Sequence, residues 1–165
     1  ARGQGARPAG RGRAGDAVAG GGPALALGIV ATGPHACAGR KVGAWVDDGV
    51  DGLLLDALRT ALEGEGAVLE LIAPKIGGFT AADGTLVAAD QKIGGGPSVL
   101  YDAVVLLTAA PGAASLRDDT AANQFVADAF AHSKFIGYVD SAMPLLEAAG
   151  VADRLDDGCL AADDK

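Results

Sequence analysis

A chain of 165 residues that is half apolar and about one-fifth charged has the length and composition of one globular domain plus irregular ends. Only 4% of the residues are aromatic, so the core has to be built from Ala, Val, Leu and Ile. The net charge is −8; residues 1–22 hold four arginines against Asp16, a net +3 that leaves −11 for the rest, a balance that argues against nucleic acid and anionic membrane surfaces as partners.

Residues 1–22 are a Gly/Arg/Ala-rich tail that cannot bury enough apolar area to offset its ordering entropy, and they read as disordered. Residues 23–39 read as a partly extended connector. The stretch Pro23–Thr32 resembles a signal peptide only superficially, because Pro23 and Gly28 interrupt it. No run approaches the roughly 18 apolar residues of a membrane span. Cys37 and Cys159 stand far apart, outside the periodic segments and in no metal-ligand spacing, and His35 and His132 are the only histidines. The expectation is two free thiols in a reducing, cytoplasmic setting and no metal site.

Periodicity begins at Arg40. Lys41–Val46 (KVGAWV) is a short apolar run that suits a buried parallel strand, and Asp47-Asp48-Gly49 makes the turn after it. Asp51 caps a helix in which Leu54, Leu55, Leu58, Ala61 and Leu62 recur at helical spacing, with Asp56, Arg59 and Glu63 toward water; Gly64 and Gly66 stop it. Val68–Ala73 is a second strand, Phe79–Val87 a hairpin turning at Asp83-Gly84, and residues 102–108 (DAVVLLT) a further buried strand. Residues 120–132 predict an amphipathic helix with Phe125, Val126, Ala129 and Phe130 on one face, capped by Asp119 or Thr120. Phe135–Val139 predicts a strand, and residues 142–149 a helix ended by Gly150. Strand–helix alternation of this kind implies right-handed crossovers and an α/β, doubly wound, mostly parallel sheet with helices on both faces. Beyond Val151 the pattern reads as loop, so the final strand and helix of such a fold are expected to be missing.

Little chemistry is legible. Gly10–Gly15 matches G-x-G-x-x-G in letters, but it follows no strand and opens no helix, so the physical basis of dinucleotide binding is absent. Gly94-Gly95-Gly96-Pro97 lacks the lysine of a phosphate loop and reads as a tight backbone crossing. Function in such folds sits at the carboxyl ends of strands. Two turns qualify: Asp47-Asp48-Gly49, and Asp140-Ser141-Ala142. Pairing Asp47 or Asp48 with Asp140 as acid and base would require burial to push their pKa values apart, and solvated turn and cap aspartates are the simpler reading.

The segments GRKVGAWVDDGVD, GGFTAADGTLVAADQKIGGGPSVLYDAVVLL and AFAHSKFIGYVDSAMPLLEAAGV resemble the C-terminal domain of large-subunit haem catalases, over residues 24 to about 161. That domain is of DJ-1/PfpI type, a flavodoxin-like fold related to class I glutamine amidotransferases. The resemblance implies a domain spanning residues 40–165. In active DJ-1/PfpI hydrolases and glyoxalases it places a cysteine in the elbow after the strand matching FIGYV and an acidic residue after the first strand. Here the elbow falls at Asp140, beside Ser141, and the acidic position falls near Gly49, with Asp48 and Asp51 as imperfect substitutes. No thiolate nucleophile can form at that elbow. The resemblance therefore implies an accessory, non-catalytic domain or fragment with a structural or assembly role. The parent would disproportionate hydrogen peroxide at a haem held upstream, in a homotetramer. The partners implied are the catalase core and sister subunits, with no cofactor bound by this chain. The alternatives are a stand-alone DJ-1/PfpI-type hydrolase or glyoxalase, and a chaperone-like module with an exposed apolar patch.

Overall fold

The computed structural model describes residues 38–75, 77–92 and 98–161. The tail 1–22, all of the connector except Ala38 and Gly39, His35, Cys37 and the Gly94–Gly96 run lie outside the described residues.

Six strands make one parallel sheet. β1 (Lys41–Val46), β2 (Val68–Ala73), β5 (Gln91–Lys92), β6 (Ala103–Leu107), β7 (Phe135–Tyr138) and β8 (Cys159–Ala161) stand in the order β5-β2-β1-β6-β7-β8. The register sets Ala44 beside Leu71 on one flank and Val105 on the other. The order reverses at β1: the chain moves outward through β2 to β5, then crosses back to β6 and on to β8. Adjacent strands that lead away in opposite directions leave a crevice at their carboxyl ends, the usual place for a ligand in open α/β sheets. A separate antiparallel hairpin, β3 (Phe79–Thr80) and β4 (Leu86–Val87), turns at Gly84, whose φ of +88° favours glycine.

Alternation along the strands divides the core into two layers. Val42, Ala44 and Val46 of β1, Leu69 and Leu71 of β2, and Val105 and Leu107 of β6 pack under α1 (Gly52–Gly64), through Leu54, Leu55, Leu58 and Leu62. The other layer takes Trp45, Ile72, Val104, Leu106 and Ile136. Covering it are α2 (Ala110–Leu116), α3 (Thr120–Ala131) and α4 (Met143–Ala148), through Leu116, Phe125, Val126, Leu145 and Leu146. Helices thus lie on both faces. The few aromatics concentrate in this second layer, where Trp45 and Phe125 meet edge-on with ring centroids 5.0 Å apart.

Both long helices begin as the sequence indicates. Asp51 accepts the Leu53 and Leu54 N–H groups at the start of α1. Asp119, rather than Thr120, caps α3 through Ala121 and Ala122. Four differences stand out. The segment 110–116, unassigned from sequence, is the short helix α2. Gln91–Lys92 adds an edge strand. Residues 140–142 form a 3-10 turn before α4, which shortens the expected helix 142–149 at its start. The region beyond Val151, read as loop, contains a 3-10 turn at Ala152–Arg154 and then β8, paired with β7 from Ile136↔Cys159 to Tyr138↔Ala161. The expectation that the final strand is missing is therefore corrected for the strand, and Cys159, placed outside the regular elements, lies on β8. Three half-buried residues after Asp156-Asp157-Gly158 are too short a run to register as a period. No helix among the described residues is long and apolar enough to cross a membrane.

Candidate functional site at the carboxyl ends of the strands

The turn after β1 is held from three sides. Asp48 accepts the Thr80 N–H (2.8 Å), and the Gly49 N–H donates to the Thr80 carbonyl (2.8 Å). The Ala82 N–H donates in turn to the Val50 carbonyl (2.8 Å), so the hairpin is clamped over the turn. Gly49 has φ +92°, a backbone conformation that side chains disfavour. Lys75 reaches Asp48 at 3.7 Å, with both side chains exposed, so this ion pair adds little energy. Asp51 spends its carboxylate on the α1 cap. The two acidic positions after the first strand therefore have clear local work: Asp48 fastens the hairpin and Asp51 starts the helix.

Asp47 differs from both. It is 4% exposed, and its Oδ1 accepts the Ala109 N–H (3.0 Å) at the entrance to α2. Its Oδ2 is buried with no hydrogen-bond partner. That oxygen occupies the space a side chain on residue 112 would need, since a Cβ built on Gly112 would stand 1.3 Å from it. Burial is the main reason its carboxyl is pushed up to about 6. The Asp48 charge adds to the rise, and the Ala109 hydrogen bond partly opposes it. A carboxylate left with one oxygen unpaired in the interior is costly. Asp47, Asp48, Lys75, Phe79, Ser115 and Asp119 border a cavity of about 400 Å³ between this turn and the start of α3.

The turn after β7 is built otherwise. Asp140 is exposed, and the Ser141 hydroxyl donates to the Thr108 carbonyl across from the end of β6. The Thr108 hydroxyl is buried without a partner. Asp140 and Ser141 border a second cavity, of about 380 Å³, with Gly49, Val50, Asp51, Leu54, Thr108 and Val139.

The structure therefore brings Asp51, Asp140 and Ser141 around one cavity and puts Asp47 and Asp48 on another. These two cavities, among the described residues, do not place Asp47 or Asp48 with Asp140 as an acid–base pair. The buried environment of Asp47 was not legible, because it is made by α2, which the sequence did not reveal. Cys159 is half-buried on β8, 3.8 Å from Asp156, and burial pushes its thiol up, away from the thiolate. No group of three or more His, Cys, Asp or Glu side chains among the described residues is placed to hold a metal ion.

The parallel sheet with helices on both faces resembles the fold of DJ-1/ThiJ/PfpI proteins. A DJ-1 superfamily protein from Salmonella typhimurium superposes with a TM-score of 0.61 at 21% identity, covering 76% of this chain and 75% of that one. A ThiJ/PfpI domain protein from Brachyspira murdochii gives 0.60 at 16% identity, covering 67% and 64%. At such identities the likeness is one of fold.

Sequence narrows the class. Residues 38–165 match the model of the C-terminal domain found in long catalases, and the chain belongs to that family. It is 57% identical over 138 residues to Catalase C of Rhizobium meliloti (strain 1021), covering 84% of this chain and 20% of that protein. It is 36% identical over 131 residues to Catalase HPII of Mycobacterium avium, covering 79% and 19%. The chain thus spans about a fifth of the length of these curated relatives.

Proposed function

We propose that this chain is an accessory domain of a long catalase, with a structural or assembly role and no catalytic machinery of its own. Its parent would convert two molecules of hydrogen peroxide to two of water and one of dioxygen. The observation that carries the reading is the turn after β7. Where the resemblance to active DJ-1/PfpI hydrolases calls for a cysteine, this chain has the exposed Asp140, and the neighbouring Ser141 hydroxyl is spent on a backbone carbonyl. A serine nucleophile needs a base in reach, and among the described residues no histidine borders this cavity. Asp48 and Asp51, the degenerate acidic support, are committed to the hairpin and the α1 cap.

The described residues do not fit a haem. His132 is exposed at the end of α3. Tyr101 is buried, with its hydroxyl donated to Glu70 (3.0 Å) and its ring against Gly43. The cavity after β1 is bordered by three aspartates, Asp47, Asp48 and Asp119, against one cation, Lys75, a net acidic rim unsuited to the carboxylate substituents of a haem. In this reading the haem belongs to a core outside these 165 residues, in a tetramer of such subunits, and the domain contributes contacts rather than chemistry. The compartment follows from the parent, and the reading places it in the cytoplasm.

The test is a graft. Residues 38–165 replace the matching C-terminal segment of the Rhizobium meliloti Catalase C, and the product is compared with the same catalase lacking that segment. The expected result is that the graft restores subunit assembly and resistance to heat. A graft that assembles and inactivates no differently from the truncated enzyme would overturn the structural role.

A further inference from the structure

The carboxyl of Asp47 joins two elements that are 62 positions apart in sequence, the end of β1 and the entrance to α2. One oxygen takes the Ala109 N–H; the other lies in the place of a missing side chain at Gly112, inside the first turn of α2, and meets no donor. Neutral, that carboxyl is an acid group whose buried oxygen carries little charge. Ionised, it puts a half-satisfied anion beneath α2, and such a group costs far more to keep dry.

We propose that the Asp47–Gly112 junction is a proton-sensitive latch, which seats α2 on the sheet when the carboxyl is neutral and loosens it toward the adjoining 400 Å³ cavity when the carboxyl is ionised. Backbone hydrogen bonding, chiefly from Ala109, offsets only part of that charge, and the side chains around it add little relief. From the turn, Asp48 adds a like charge. After β2, Lys75 is the cation on this cavity's rim; it leans on Asp48 and is exposed. α2, with the sequence Ala-Pro-Gly-Ala-Ala-Ser-Leu, supplies no charged side chain. At its end Arg117 lies 3.9 Å from the exposed Asp118. At the start of α3, Asp119 is acidic and engaged with Ala121 and Ala122. β3 offers Phe79 and Thr80, and β6 runs into Thr108 and Ala109, none of them charged.

The direction follows from comparing the two states of the group. In an opened or unfolded chain Asp47 ionises near 3.8; in the seated state it does so near 6. Below the lower value both states hold the proton and the latch is indifferent to pH. Between the two, only the seated state keeps it, so opening is increasingly favoured as pH rises. Above the upper value both are ionised and the effect is complete. α2 is thus tightest in mild acid and loosest at and above neutrality.

Hydrogen–deuterium exchange on the full 165-residue chain tests this, with amides 113–117 followed from pH about 4 to about 7.5 and corrected for the intrinsic pH dependence of exchange. The expected result is a roughly ten-fold or greater loss of protection in those amides across the interval, absent from the helix α1 amides. Asp47→Asn keeps an acceptor for Ala109 but no charge, and its α2 protection should be independent of pH. Carbon-13 titration of the wild-type Asp47 carboxyl decides the matter should the variant not fold. An ordinary carboxylate midpoint, unchanging protection in the wild type, or the same pH dependence in Asp47→Asn would each overturn the latch.

Discussion

The turns after β1 and after β7 look alike in sequence, each placing an aspartate at the carboxyl end of a buried parallel strand, yet they are opposite environments. Asp140 meets water, whereas Asp47 is buried under α2 with an unpaired oxygen. The difference lies in what covers the turn. After β7 the chain folds directly into a 3-10 turn and α4, leaving Asp140 on the rim. After β1 it leaves through the exposed Asp48 and Gly49, while α2, delivered by the neighbouring strand β6, closes over Asp47. A carboxylate's chemistry is set by its cover as much as by its position on a strand.

The largest expected effect comes from filling the space between β1 and α2. Gly112→Ala would set a Cβ 1.3 Å from Asp47 Oδ2 and should destabilise the fold by about 3 kcal/mol in urea unfolding, the upper range for overpacking. In an Asp47→Ala background the same change should be close to neutral, so a double-mutant cycle measures the contact itself.

Removing only the charge has the opposite sign. Asp47→Asn should stabilise the protein by about 1–2 kcal/mol at pH about 8 and by nothing near pH 3.5; the gain stays below the roughly 3 kcal/mol that a two-unit shift implies because the new amide NH2 takes the place of Oδ2, where no partner meets it. Asp51→Ala should cost about 1 kcal/mol by uncapping α1, read as a lower midpoint of thermal unfolding. Asp140→Ala, at the exposed turn, should stay within about 0.5 kcal/mol of wild type. An Asp140 effect as large as that of Asp51 would break the contrast between the two turns.

Much of the frame was legible because its signals are strong and local. KVGAWV and VLELIA are uninterrupted apolar strands, Leu54 to Leu62 follow helical spacing, and Asp51 announces a helix start. What was not legible depends on distant parts of the chain. α2 contains Pro111 and Gly112 and buries Ala113 and Leu116, too few positions to show a period. Pro111 is tolerated because it sits in the first turn, where its missing N–H costs nothing. Gly112 is there because Asp47 fills the space of its side chain. The edge strands β5 and β8 owe their existence to their neighbours, with two and three residues apiece. The burial of Asp47 inherits the invisibility of α2. Asp140 and Ser141 stand in the turn after β7, which a short apolar strand announces, whereas the cavity they share with Asp51 exists only in the folded sheet.

The proposed accessory role has its most direct test in the chain taken alone. Express the 165 residues with ample haem supply, purify the chain, record its visible spectrum, and measure dioxygen release from hydrogen peroxide. A domain with an accessory role only should show no Soret band and no oxygen release above that of buffer. A Soret band that co-purifies with the chain, together with peroxide-dependent oxygen release, would contradict it.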